Sequence, residues 1–315
     1  MRNYLLTTVG ALFVVFVFVQ AFYNRPPLDF PLETFLTIEK GTPLQTIASD
    51  FEKRRIVRSA FWLKSFVTLR GGSGGAIAGD YFFKGRASAL RIAERLVRGE
   101  YGLEETKVVI PEGLTNKEMA AIFARALPKF SAREFLALAA QKEGYLFPDT
   151  YQFLPNVSAD IVIIAMEKNF NKKMSELESL VQISKKPLKD VVVMASLLEK
   201  EARTTDARRR ISGILWKRLR LGMPLQVDAV FPYIFEGKLY DLTDGDLMTD
   251  SPYNTYKYKG LPPGAISNPG LDALRAAITP IDTQYLYYLS DKEGEMHYAK
   301  THNEHLANRA KYLNL

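Results

Sequence analysis

Between Asn3 and Asn24 the chain carries no charged residue, and the 19 positions LLTTVGALFVVFVFVQAFY from Leu5 to Tyr23 are apolar but for two threonines and a glutamine. At a helical rise of about 1.5 Å per residue this run crosses a hydrocarbon layer of about 30 Å. Arg2 and the terminal amine precede it and favour a cytoplasmic start, while Arg25 on the far side weakens that bias. Val19-Gln20-Ala21 could pass as a cleavage site. The apolar part of a cleaved leader is normally shorter, at roughly 7–15 residues. The expectation is a cytoplasmic start at residues 1–3, a single transmembrane anchor at 4–23, and the rest of the chain on the periplasmic or extracytoplasmic side of the inner (cytoplasmic) membrane. The lipid bilayer is then a partner through the N-terminal helix.

The segment NRPPLDFPLE, residues 24–33, reads as a short stiff spacer because it is rich in proline. After it come an alternating strand, a Gly41-Thr42-Pro43 turn, and a helix with Leu44, Ile47, Ala48 and Phe51 on one face. A second helix near residues 60–69, a flexible GGSGG loop at 71–75, a strand at 78–85 and a capped helix at 88–100 complete a small α+β unit. A larger unit starts near residue 105: a strand, a helix opened by the capping box Thr115/Glu118, a helix at 131–141, and an aromatic turn at 143–153. Long helical patterns follow at 159–181, 188–202 and 206–221, then a loop-rich stretch, a helix at 270–279, a hairpin with a turn at 291–294, and a last helix. The fold class is α+β, with a helical core and a loop-rich cleft in the larger unit.

Composition narrows the chemistry. With 315 residues, 47% of them hydrophobic and 24% charged, the chain is globular and long enough for two cores. There is no cysteine, which removes disulfides, zinc-thiolate sites and cysteine nucleophiles. The net charge of +7 suits an anionic partner, but no basic run is interleaved with aromatics, so a nucleic-acid partner is not expected. Phosphate-binding glycine loops are absent from the sequence, and the GGSGG stretch at 71–75 reads as a flexible loop and not as a nucleophile elbow. His297, His302 and His305 come without an HExxH pattern and read as surface histidines, so neither metal nor cofactor is expected. Arg208, Arg209, Arg210, Lys217, Arg218 and Arg220 read as the solvated face of their helix, or as a face turned to anionic lipid or peptide carboxylates.

The stretch MASLLEKEAR, residues 194–203, carries two glutamates after an apolar run. With about 100° per residue and Glu201 at zero, Met194 lies at about +20°, Leu197 at about −40° and Leu198 at about +60°. Glu201 is centred on the apolar stripe. Glu199, at about 160°, falls beside Ser196, Lys200 and Arg203 on the polar arc and reads as a surface residue. Burial raises a carboxyl's pKa and suits it to general acid work, while pairing with Arg203 or a neighbouring arginine is the structural alternative. Downstream, irregular backbone offers Gln226, Asp228, Ser251, Asn254, Thr255, Tyr256 and Asn268, and the aromatic turn offers Glu143, Asp149 and Tyr151. Such amides and hydroxyls are what a sugar cleft needs. A plain surface loop with β-turns accounts for the same composition.

MASLLEKEA, RLRLGMPLQVDAV, SPYNTYKYKGLPPGAISNPG, EGYLFPDTY and YLYYLSD occur in the pattern of the endolytic murein transglycosylases, and the chain resembles that YceG-like (MltG) family over nearly its whole length. The resemblance implies a LysM-like subdomain at 35–104 after a linker at 24–34, and a catalytic YceG-like domain at 105–315. It also implies a lyase cutting the β-1,4 bond between N-acetylmuramic acid and N-acetylglucosamine in nascent glycan strands and leaving 1,6-anhydro ends. Its catalytic glutamate is the second of the EKE motif, here Glu201. By motif position Gln226, Asp228, Ser251, Asn254, Thr255 and Tyr256 are expected to position substrate, and Glu143 to line the cleft. Peptidoglycan strands are the implied substrate, and peptidoglycan synthases (penicillin-binding proteins) the implied company. The chain departs from the family where a polar residue and DPT usually follow LQ: it has Val227-Asp228-Ala229-Val230. The rival readings are a non-catalytic peptidoglycan-binding scaffold and a muramidase pairing Glu201 with Asp228 or Glu143.

Overall fold

The protein is described here by a computed structural model covering residues 2–71, 75–235 and 242–313. The chain divides into two compact units, residues 1–105 with Leu154–Asn156, and residues 106–153 with 157–315.

The smaller unit begins with α1 (Arg2–Asn24), followed by β1 (Thr34–Ile38), α2 (Leu44–Lys53), α3 (Ala60–Gly71), β2 (Gly79–Phe83) and α4 (Ala89–Arg98). The two strands pair antiparallel with Leu36 opposite Tyr81. Ile47, Ala48 and Phe51 of α2 turn into a core with Leu63, Phe66, Phe83, Ile92 and Leu96, as the helical spacing predicts. Ser88 caps α4 by accepting from the Arg91 N–H, and Gly99 closes it with a left-handed φ of 66°. Most of the glycine loop expected at 71–75 lies at residues 72–74, outside the described residues. Among the described residues no helix is long and apolar enough to cross a membrane.

The segment read as a spacer is instead part of this unit. Asn24 Oδ1 accepts from the Leu90 N–H at the start of α4, Arg58 donates to the Pro26 carbonyl, and Phe30 is buried against Phe83. Its prolines fix the path of a chain that packs; they do not hold it off the surface.

The larger unit holds two cores. In the first, the antiparallel pair β3 (Thr106–Val109) and β4 (Thr150–Phe153) packs with α5 (Asn116–Ala126), α6 (Ala132–Leu138) and α7 (Ala159–Ser175) around Val108, Met119, Phe123, Phe135, Leu146 and Met166. The predicted capping box opens α5: Thr115 accepts from the Glu118 N–H while the Glu118 carboxylate accepts from the Thr115 N–H. The single helix predicted over 159–181 is broken into α7 and α8 (Glu178–Ser184), and the break turns Leu177 fully into the second core.

That second core surrounds α9 (Leu188–Glu201). The eight residues from Val191 to Leu198 are each at most 3% exposed, so the middle of this helix is buried all round. Around it lie α10 (Thr205–Arg220), the short helices α11 (Val230–Ile234) and α12 (Asp244–Leu247), and α13 (Leu271–Ile278). The hairpin β5 (Tyr287–Ser290) and β6 (Met296–Ala299) pairs Tyr288 with Tyr298, and α14 (His302–Tyr312) closes the chain. The connection from α13 to the hairpin crosses α10 at Gly213. Ile281 N donates to the Arg209 carbonyl at 2.9 Å, and a Cβ on Gly213 would stand 1.9 Å from the Ile281 carbonyl oxygen.

Candidate active site

Because the middle of α9 is wrapped on every side, its polar arc reaches solvent only toward the end, at Lys200. Ser196 is fully buried; its hydroxyl accepts from the Ile266 N–H at 3.1 Å, tying the proline-rich loop to the helix. Glu199, expected at the surface, has a side chain only 6% exposed, accepting from Arg208 and from the Gly270 N–H, each at 2.8 Å. Arg208 also donates to Asp272 at 2.6 Å. The arginine expected on a solvated face therefore neutralises two carboxylates beneath the loop. Arg218, read the same way, is 4% exposed, and donates to the Leu286 and Leu225 carbonyls at 2.7 Å. The wheel errs at these positions because it assumes one solvent side.

Glu201 is the last residue of α9, and its neighbours come from three directions. Tyr288, on the inner face of the hairpin, donates its hydroxyl to Glu201 Oε2 at 2.9 Å. The Ala229 N–H donates to the same carboxyl, and Asp228 faces it as a second negative charge. Burial above all, with the Asp228 charge, pushes the pKa of Glu201 up to about 7 against the pull of the Tyr288 and Ala229 hydrogen bonds. The carbonyl end of α9 also disfavours charge there. The residue remains partly accessible. The result is a carboxyl that carries a proton near neutrality and can release it.

Gln226 and Asp228 are both exposed, and Asp228 faces this carboxyl. Gln226 holds a left-handed φ of 52°, unusual for a residue with a Cβ, while its N–H donates to the Thr255 carbonyl and its Oε1 accepts from Arg218 at 3.3 Å. Tyr256 donates its hydroxyl to Asp228. Asp228 and Tyr256 thus lie within electrostatic reach of Glu201, while Gln226 is tied to Arg218 and Thr255. Ser251, Asn254 and Thr255 do not present their side chains to the site. Asn254 is fully buried, donating to the Leu247 and Thr249 carbonyls and accepting from the Tyr256 N–H. Thr255 accepts from the Val227 N–H at 2.9 Å, and Ser251 accepts from the Tyr253 N–H. They hold the loops that carry Gln226, Asp228 and Tyr256.

Glu143 belongs to a separate polar cluster. It accepts from the Asn116 N–H and from Asn268 Nδ2, each at 3.0 Å. Asn268 is fully buried; its Oδ1 accepts from the N–H groups of Gly144 and Leu146, and its Nδ2 donates also to the Leu114 carbonyl. Burial raises the Glu143 pKa to about 7, against the pull of the Asn116 N–H. No direct bond joins this cluster to Glu201 among the described residues.

The functional group that pattern reading missed is Tyr288. The alternation of Tyr285, Tyr287 and Leu289 predicts one buried face, and Tyr288 lies on the other. Both faces of this hairpin are used: Tyr287 stacks on His305 at 5.3 Å while Tyr288 reaches Glu201. His297, expected at the surface, bonds Asp291 at 2.7 Å and stacks on Tyr312. Among the described residues no cluster of three or more His, Asp or Glu side chains is placed to hold a metal ion.

A single proton-carrying carboxyl at the end of a buried helix, walled by loops with amides and phenols, defines an acid–base site on an α+β scaffold. The model of the YceG-like family matches residues 36–311, and the chain belongs to that family. It is 32% identical over 307 residues to an endolytic murein transglycosylase of Bacillus subtilis (strain 168), covering 88% of this chain and 84% of the relative. An endolytic murein transglycosylase of Streptococcus pneumoniae (strain D39) is 28% identical over 335 residues, and the match covers 91% of this chain and 60% of that longer protein. The crystal structure of a YceG-like protein from Listeria monocytogenes superposes with a TM-score of 0.59 at 29% identity, covering 87% of this chain and 98% of that one.

Proposed function

We propose that the chain is a peptidoglycan lytic transglycosylase, a lyase that cuts the β-1,4 bond between N-acetylmuramic acid and N-acetylglucosamine within glycan strands. Family membership and the named relatives support the reaction class. The observation that carries the site is Glu201: one partly accessible carboxyl, raised to about 7, held by Tyr288 and Ala229.

Glu201 protonates the glycosidic oxygen as the bond from C1 to that oxygen breaks. The muramyl 6-hydroxyl oxygen then closes on C1, and the Glu201 carboxylate takes the hydroxyl proton. The proton lent is returned, no water is consumed, and the product end is a 1,6-anhydro sugar. One carboxyl suffices for this sequence, whereas common glycosidases need two. Gln226, Asp228 and Tyr256 position the strand.

Residues 4–23 anchor the chain in the inner membrane with the site on its outer face, an assignment supported by the uncharged run from Asn3 to Asn24. The order strand, two helices, strand, with the strands paired, supports the LysM-like reading of the small unit. Residence there places the enzyme beside emerging glycan and the synthases that make it.

A hydrolase pairing Glu201 with Asp228 has one observation in its favour, the charge of Asp228 felt at Glu201. Mass spectrometry of uncrosslinked strands digested by the wild type and by Glu201→Gln decides between the two. Anhydro ends from the wild type alone fit the lyase. Ends heavier by one water mean hydrolysis, and strands left whole by the folded wild type mean a binding scaffold.

A further inference from the structure

We propose that Tyr288 is the positioning residue of this site: its phenol holds Glu201 Oε2 as an acceptor, so that the proton to be transferred rides on Oε1. This rests on the acid–base role proposed for Glu201.

The donor direction follows from the surroundings. Arg218 lies beside the phenol, a buried cation fixed by the carbonyls of Leu225 and Leu286 and stacked over the Tyr287 ring at 4.9 Å. A fixed positive charge draws the phenol oxygen toward it and turns the O–H away, toward the carboxyl. Burial and the Glu201 charge hold the Tyr288 hydroxyl protonated well beyond its ordinary range, so it stays a donor throughout. With Oε2 taken by an incoming O–H, a second hydrogen on that oxygen would face it. Protonation on Oε1 avoids this at the phenol, the stronger of the carboxyl's two donors, the Ala229 N–H being the weaker.

The hairpin sets the phenol's position from outside the core. Tyr287, next in the strand and on the opposite face, is pinned by His305 of α14 and by Arg218. The charged and titratable groups around Glu201 are Tyr288 from β5, Asp228 and Tyr256 from the loops, and Arg218 from α10 behind the phenol. Of these, Tyr288 is the side chain that donates to Glu201 directly.

The test is a carboxyl titration of the full chain in detergent micelles, labelled with ¹³Cδ-glutamate, the Glu201 resonance being identified by its loss in Glu201→Gln. Tyr288→Phe keeps the ring and removes the donor. The expected result is a titration midpoint about one pH unit higher, the usual weight of a hydrogen bond to a carboxylate. The alkaline limb of kcat/KM for strand cleavage moves up with it. Tyr287→Phe, on the other face, leaves the midpoint in place. An unmoved or lowered midpoint in Tyr288→Phe, with the chain folded, overturns the proposal. A raised midpoint with an unmoved activity limb overturns the acid–base role of Glu201, and with it the part of Tyr288 in the reaction, while leaving the contact itself intact.

Discussion

Glu199 and Glu201 stand two residues apart at the end of one helix and meet opposite fates: Glu199 is neutralised by Arg208, whereas Glu201 faces a phenol and a second carboxylate. A carboxyl facing Asp228 in a buried setting keeps its proton to higher pH. The contrast between the two acids is therefore made by partners from distant segments.

Glu201→Gln keeps the hydrogen-bond geometry and removes the transferable proton. Cleavage falls by at least about 10²–10⁴-fold, the usual weight of a general acid, with the melting temperature maintained. Strand digestion followed by calorimetry on the same sample checks both halves.

Asp228→Asn removes the negative charge that faces Glu201. The Glu201 titration midpoint falls and the alkaline limb of activity moves to lower pH, opposite in sign to Tyr288→Phe. An upward shift would mean that Asp228 acts on Glu201 other than through its charge.

Glu143 and Glu201 both have folded pKa values near 7 against an ordinary value of 4.5. The folded state therefore holds more protons than the unfolded one between those limits. Their contribution to stability is fully present below about pH 4.5 and is lost as pH rises through about 7. Melting temperature should climb as pH is lowered from 7.5 to about 5. The double variant Glu143→Gln/Glu201→Gln should flatten that climb.

Arg208→Ala strands the buried Glu199 carboxylate and should cost about 3–5 kcal/mol in denaturant unfolding. Adding Glu199→Gln recovers part of the loss, because the uncompensated charge is then gone. A double variant no more stable than Arg208→Ala would show that the pair is not coupled.

Asn254→Ala and Gln226→Ala separate scaffold from cleft. The first leaves the Leu247 and Thr249 carbonyls unpaired and should lower stability by about 2 kcal/mol. The second should leave unfolding nearly unchanged and reduce cleavage by roughly tenfold, the loss of one hydrogen bond to substrate. Equal effects of the two on stability would return Asn254 to the cleft.

Much of this was readable from local pattern. The Thr115/Glu118 capping box, the apolar faces of α2 and α9, and the inward place of Glu201 all follow from helical spacing. Local pattern fails where a partner comes from far along the chain. Arg208 reaches Glu199 only because the chain turns back after α9, and the hydroxyl of Tyr288 comes from 87 positions away. Asn254 and Thr255 carry side chains fit for sugars, but neighbouring backbone groups claim them first. Motif position says that a residue matters and is silent on which way it points.

The crossing at Gly213 ties the chemistry to a place with no polar group of its own. The segment passing over that glycine leads into the hairpin that carries Tyr288, and α10 holds it again through Lys217 and Arg218 at the Thr283, Gln284 and Leu286 carbonyls. A single methyl there would meet the Ile281 carbonyl oxygen and push the incoming segment off α10 like a shim under a hinge, upstream of the phenol that reaches the carboxylate. Drift at this position is thus constrained by clearance, a sensitivity that no inventory of the polar groups around Glu201 would reveal.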